Sequence, residues 1–220
     1  MHHIQHYILT KLSVTKWARF SEMRPPKVDS NAYSYHLKLL QKQGLVEKHL
    51  EKGYRLSPKG MTQVDRMSTN ELQMRLQPKI ITMCVIRNEK DEVMLLAKSK
   101  QPFIKAWTFA SGKFHMEDGS VRAAMVREIA ERVDIAPNET LNHVADVYIN
   151  ASISGQLVSS ILAHTFVMRV QQSQIKRTDV MWVDGKHWEG LQLAPGVKEV
   201  LELIESDTSG FSFAEYVIDW

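Results

Sequence analysis

GKFHMEDGSVRAAMVREIAERVDI, residues Gly112–Ile135, is the stretch from which the rest of the chain can be read. It has the form of a loop, a helix and a loop, with Arg127, Glu128 and Glu131 in the last helical turns. A helix advances about 100° per residue, so Glu128, Glu131 and position 132 share one face. Two or three carboxylates on such a face can hold a hard divalent cation against a pyrophosphate. Position 132, however, is arginine. At ~4–6 Å and an effective dielectric near ~20, each unit of misplaced charge costs roughly 3–4 kcal/mol per cation charge, so affinity for Mg²⁺ should fall steeply. Arg132 also stands four residues after Glu128, the spacing of a helical ion pair. There it would occupy the electrostatic place of the metal, neutralising carboxylates and offering a fork to a ligand phosphate. Lys98, Lys100 and Lys113 lie close enough in sequence to join such a phosphate site, with Lys105 beside them. The alternative is that Arg132 turns to solvent and Asp118, Glu117 or Asp134 restores metal binding.

Outward from this stretch, KIITMCVIR and EVMLLAK are apolar, β-rich runs separated by the turn Asn88–Asp91. Val144–Ile149, Val158–Val170 and Val180–Val183 are the further strand candidates, and Val197, Val200, Leu201 and Ile204 form the stripe of a last helix begun at Pro195. Asn150–Gln156 and Gln171–Thr178 are read as loops without a decipherable specificity code. Phe211, Phe213, Tyr216 and Trp220 make an aromatic tail over 207–220, expected to pack on a domain or dimer surface.

The composition fits this picture. Of 220 residues 44% are hydrophobic, which argues against disorder. The longest apolar runs, Ile80–Ile86 and Ser160–Val170, are far too short to span a membrane as helices. MHHIQHYILTKL has no signal-peptide pattern, and the lone Cys84 excludes a disulfide framework or cysteine zinc site; together they predict a cytoplasmic protein. Residues 1–70 hold 12 Lys/Arg and 5 Asp/Glu, a balance of +7, whereas 71–220 hold 16 and 20, a balance of −4. The first part is therefore the one suited to a polyanion.

That basic part begins with Ile4, Ile8 and Leu12 at helical spacing. A short second helix is expected over Ala18–Met23, stopped by Pro25 and Pro26. Ser30 is the predicted N-cap of a third helix over Asn31–Gln43, with Gly44 as its stop. LVEKHL and YRL predict two short strands around Glu51-Lys52-Gly53, and Ser57-Pro58 starts another helix. The connector over 71–78 carries no glycine and ends in Pro78, the composition of a stiff joint.

Two resemblances follow. NAYSYHLKLLQKQGLVEK followed by YRLSPKG resembles the ArsR-like winged-helix transcription regulators over roughly residues 4–67. That resemblance implies a helix in the major groove of double-stranded DNA, with Asn31, Ser34, Tyr35 and Lys38 facing out, and Lys48, Lys52 and Arg55 of the wing on phosphate or the minor groove. His36 is either a base reader or a half-buried core histidine. Relatives usually dimerise, so a homodimer on a two-fold-symmetric operator is implied. The C-terminal part, about 79–206, resembles the Nudix (MutT-like) family, whose signature is G-x5-E-x7-R-E-U-x-E-E-x-G-U with U apolar. Gly112, Arg127-Glu128-Ile129, Glu131 and Ile135 match it; Arg132 and Asp134 replace the second paired glutamate and the late glycine. One extra residue separates Gly112 from Arg127, and the expected early glutamate falls on Gly119, just after Glu117 and Asp118.

The expected architecture is thus α+β in two domains: a winged helix-turn-helix over 1–70, a linker over 71–78, and an α/β/α-sandwich Nudix fold over 79–206. The resemblance implies Glu128, Glu131 and Asp118 as Mg²⁺ ligands, and Arg127, Glu128 and Glu131 as the catalytic set of an active member. Two functions remain open. One is a DNA-binding transcriptional regulator that senses a nucleoside-diphosphate ligand such as ADP-ribose or a nucleotide sugar, with hydrolysis weak or lost. The other is an active Mg²⁺-dependent pyrophosphatase with an accessory winged helix. Neither calls for a membrane partner.

Overall fold

In the computed structural model the described residues are 1–67, 77–136, 140–184, 188, 190–206 and 210–220. The chain divides into two compact units, Met1–Leu76 and Gln77–Trp220. Of the expected stiff connector over 71–78, residues 71–76 lie outside the described residues.

The first unit contains α1 (His3–Ser13), a 3₁₀ turn Phe20–Met23, α2 (Ser30–Lys42), the antiparallel hairpin β1 (Val46–His49) and β2 (Gly53–Leu56), and α3 (Pro58–Asp65). Ile8, Leu9, Leu12, Met23, Tyr33, Leu37 and Leu40 meet in its core. The sequence misplaced two details here. Ser30 is already helical; the N-cap is Asp29, whose carboxylate accepts from the amides of Asn31 at 2.8 Å and Ala32 at 3.0 Å. A carboxylate reaches two free amides and suits the positive helix end, so it outcompetes a neighbouring hydroxyl. These amide bonds also lower the Asp29 pKa, that to Ala32 first. The expected second helix is only the 3₁₀ turn, because Ala18 is held extended by two backbone hydrogen bonds to Tyr54, each 2.9 Å.

The second unit is built on a mixed sheet whose described strands are β3 (Lys79–Arg87), β4 (Val93–Ala97), β5 (Trp107–Thr108), β6 (Ala110–Lys113), β7 (Asn142–Ile153), β8 (Gln156–Arg169), β9 (Val180–Val183) and β10 (Ser212–Asp219). Neighbours run β10-β7-β8-β3-β4-β5, with β6 on β3 and β9 on β4. β8 lies parallel to β3 and β10 parallel to β7; β7 and β8 form a long antiparallel hairpin. Alternate residues of β3 serve opposite faces, as strand geometry requires. Met83 and Val85 join Val147, Ile149 and the α5 (Val197–Ser206) residues Val200 and Leu201. Cys84 and Ile86 join Phe166, Met168 and the α4 (Val121–Val133) residues Met125 and Ile129. Among the described residues, α4 therefore covers one face of the sheet and α5 the other. No described helix is long and apolar enough to cross a membrane.

Two expectations are corrected in this unit. The supposed loop Asn150–Gln156 is mostly strand, since β7 runs to Ile153 and β8 starts at Gln156. The aromatic tail is largely β10: Ser212–Asp219 alternates half-buried and exposed residues, so Tyr216 and Ile218 pack on the core while Phe213 and Val217 face out. Period-two alternation is a strand pattern, and the aromatic content had obscured it.

Candidate functional site

Helix α4 is capped by the Ser120 hydroxyl, which accepts from the Ala123 amide at 3.1 Å, and ends at Asp134 in the left-handed region. Its apolar stripe faces the sheet, and Glu128 sits at the edge of that stripe, 3% exposed. A buried carboxylate needs partners, and here both are guanidinium groups. Arg127 Nη1 donates to Glu128 Oε1 at 2.7 Å, and Arg132 Nε donates to Glu128 Oε2 at 2.7 Å. Gly112 on β6 makes this burial possible. A Cβ there would stand 1.7 Å from Glu128 Cδ and 1.9 Å from each carboxylate oxygen.

Asp118 is engaged in the same way. Arg127 grips it with Nε at 2.7 Å and Nη2 at 2.9 Å, and the His115 amide adds a bond at 2.7 Å. The Arg127 hydrogen bonds, followed by the His115 amide, lower the Asp118 pKa to about 2, while burial opposes the shift. The same carboxylates push the Arg127 guanidinium further up, Asp118 first and Glu128 next. Arg127 also donates to the Lys113 carbonyl at 3.0 Å and lies 3.6 Å from Glu131. Glu131 is the most exposed of the three carboxylates, its side chain 60% accessible. Glu117 points to solvent near His115, and Asp134 forms the helix cap.

Mg²⁺ is the metal the family resemblance implies, and this donor set does not suit it. Hard cations need several carboxylate or carbonyl oxygens turned toward one point. Both oxygens of Glu128 and both of Asp118 are already bound by arginine, and the i+4 position from Glu128 carries positive charge.

Beside this cluster lies a cavity of about 230 Å³. Among the described residues its charged lining consists of Lys79, Lys98, Lys113 and Arg132, with no Asp or Glu. Ser111, Thr108 and Gln101 add polar groups, and Phe103, Phe109 and Ile81 add apolar walls. Burial first, then the charges of Lys79 and Arg132, lower the Lys98 pKa. Cations crowded against one another in this way are stabilised by an anion. Of the predicted phosphate ligands, Arg132, Lys113 and Lys98 therefore meet at one cavity. Lys100 lines only an adjoining recess that shares Lys98 and Arg132, and Lys105 lines neither. Lys79 was missed. Its signal was the alternation Lys79, Ile81, Met83 on β3, which sets all three on the cavity side.

In the first unit Asn31, Tyr35 and Lys38 are exposed on α2, Ser34 is half-buried, and Lys48, Lys52 and Arg55 are exposed on the hairpin. Arg55 is paired with Glu47 at 2.9 Å and lies over the Trp17 ring, as does Lys52. His36 is half-buried and stacks on His2, ring centroids 4.0 Å apart.

Comparison with known proteins gives one family match: the model described as NUDIX domain covers residues 77–194, more than half of the chain. No curated protein sequence matches. Among solved structures, NrtR of Shewanella oneidensis in complex with a 27mer DNA is 20% identical, with TM-score 0.47, over 56% of this chain and 58% of that one. The match thus spans under two thirds of that NrtR chain. The NUDIX domain of the same NrtR in complex with ADP ribose is 22% identical, with TM-score 0.47, over 60% of this chain and 88% of that one. A MutT protein from Bacillus halodurans is 20% identical, with TM-score 0.46, over 63% and 90%.

Proposed function

Because the chain belongs to the Nudix family, we propose that its second unit recognises the diphosphate of a nucleoside-diphosphate ligand, such as ADP-ribose or a nucleotide sugar, with hydrolysis weak or lost. The observation that carries this reading is the double position of Arg132: its Nε neutralises Glu128, and its side chain lines a cavity with three lysines and, among the described residues, no carboxylate. Such a site attracts a compact polyanion, and guanidinium is well suited to bridging phosphate oxygens. A cavity of about 230 Å³ is smaller than the ~300–1,000 Å³ of whole-ligand sites. It accommodates the charged centre of the ligand, leaving the nucleoside to the surrounding surface.

The first unit supplies the output. Its order of helices and hairpin, its exposed Asn31, Tyr35 and Lys38, and its +7 balance support a winged helix-turn-helix that binds double-stranded DNA, acting as a homodimer as the resemblance implies. Ligand would then act by preferring one of two arrangements of the DNA-binding units.

The test is a gel shift of a two-fold-symmetric promoter fragment at low salt, with and without ADP-ribose. Binding that responds to ligand and weakens in a Lys38→Ala/Lys48→Ala variant is expected; absence of DNA binding at low salt sinks the regulatory reading. The hydrolytic alternative rests on the exposure of Glu131. Turnover with Mg²⁺ or Mn²⁺ that disappears in Glu131→Gln would favour it.

A further inference from the structure

Away from the Arg127–Glu128 cluster and the cationic cavity, three metal-ligating side chains converge where β7 pairs with β8. His143 Nε2 lies 2.8 Å from Asp146 Oδ1, and His164 Nδ1 lies 2.7 Å from the same oxygen. Among the described residues this is the one group of three or more such side chains whose ligand atoms all fall within 4.8 Å of one another. We propose that His143, Asp146 and His164 form a binding site for a divalent transition-metal ion of the zinc class.

The backbone explains how these residues meet. Residues three apart on a regular strand point to opposite faces, so His143 and Asp146 should be separated by the sheet. The register shift between His143 and Ala145 inserts one extra residue in β7. His143 consequently faces Phe166 while Asp146 faces His164, and Phe166 and His164, two apart on β8, share a side. Removing the bulge would place Ala145 opposite His164 and send the carboxylate to the other face. Bulges recur where a strand must re-aim a side chain.

The ligands are also held in place. The His143 ring stacks on buried Phe166, centroids 4.8 Å apart at 18°, and meets the edge of Phe211 at 5.0 Å. A ring already fixed by packing loses little freedom when it binds an ion. The side chains remain 33%, 27% and 17% accessible for His143, Asp146 and His164, which leaves an open direction for water as a further ligand. Two imidazoles and one carboxylate match the ligand preferences of zinc and its first-row neighbours, whereas Mg²⁺ and Ca²⁺ call for oxygen alone. The ion would staple β7 to β8 beside the segment that leads into β10.

The experiment uses the full chain, stripped with chelator and titrated with Zn²⁺ against a chromophoric competitor. One equivalent is expected for the wild type. His164→Ala and Asp146→Asn should each weaken it by more than ~100-fold, beyond the cost of losing a mere outer-shell partner. His2 and His3 near His36 offer a competing histidine cluster, so His2→Ala/His3→Ala should leave the affinity intact. The wild type loaded with Co²⁺ should show the visible absorption of a nitrogen- and oxygen-ligated ion, a readout independent of whether a variant folds. The proposal is overturned if the wild type does not compete with the chelator. It is equally overturned if the bound equivalent survives both strand substitutions or departs with the N-terminal pair. Diphosphate binding should be unchanged in His164→Ala, which separates this site from the proposed ligand site.

Discussion

Two neighbouring regions of the second unit treat charge in opposite ways. Around Arg127, the carboxylates of Asp118 and Glu128 are gripped by guanidinium groups and Glu131 lies close to one. Beside it, Lys79, Lys98, Lys113 and Arg132 line a cavity that among the described residues contains no acid. The first region is complete in itself: its anions have partners, and a further cation would meet positive charge. The second is incomplete, since its lining offers a ligand more positive charge than it balances. Arg132 belongs to both, and so links the closed network to the open one.

The contrast can be broken most severely at Gly112. A Gly112→Ala side chain would collide with the Glu128 carboxylate, and expelling that group breaks its bonds to Arg127 and Arg132. A loss of about 3 kcal/mol in the stability of this unit is expected from thermal or urea unfolding. In the double variant Gly112→Ala/Glu128→Ala the collision is gone, so the two costs should fall well short of adding. Additive costs would mean that Glu128 does not occupy the space against Gly112.

Charge removal at Lys98 should act on binding and leave folding nearly unchanged, whereas removal of Arg132 also takes a partner from buried Glu128 and so lowers stability. Lys98→Ala and Arg132→Ala are each expected to weaken diphosphate binding by roughly 10- to 100-fold, the worth of a charge-assisted hydrogen bond. Lys100→Ala, confined to the adjoining recess, should change affinity by less than about threefold. Calorimetric titration with ADP-ribose distinguishes them. Equal effects at Lys98 and Lys100 would move the ligand out of the cavity described.

The smallest effect concerns acid stability on the closed side. The Asp118 pKa is lowered from its ordinary 3.8 to about 2. A carboxyl depressed in the folded state adds stability that is fully present above its unfolded pKa and is lost as pH falls through the folded one. Stability should therefore drop between about pH 4 and pH 2, and Asp118→Asn should flatten that part of the profile. An unchanged profile in the variant, followed by circular dichroism, would remove Asp118 from the acid-labile set.

How much of this was legible depended on the reach of each interaction. Helix α4, its apolar stripe and the proximity of Glu128 and Arg132 are local, and a spacing of four residues announces them. The partner of Asp118 was less visible, because one extra residue between Gly112 and Arg127 blurs the signature while Asp, a shorter acid, still reaches the guanidinium. Alternation on β3 sets Lys79 on one face with Ile81 and Met83, but that this face carries a cavity depends on a sheet that pairs Lys79 with Ile161 across a parallel register. His143, Asp146 and His164 depend on a one-residue bulge, which strand periodicity cannot anticipate. β10 was hidden by composition, since aromatic residues near a chain end suggest surface packing before they suggest a strand.

The place of β10 also bears on how the molecule comes into being. Ser212–Asp219 pairs with β7 along eight residues, yet follows it in the chain by way of β8, β9 and α5. During synthesis β7 therefore emerges long before the strand that covers it, with one row of amides and carbonyls unmatched. A bare edge of that kind invites pairing with another nascent chain. β10 covers that row late and becomes the edge in its place, so until it arrives β7 is the strand open to such pairing.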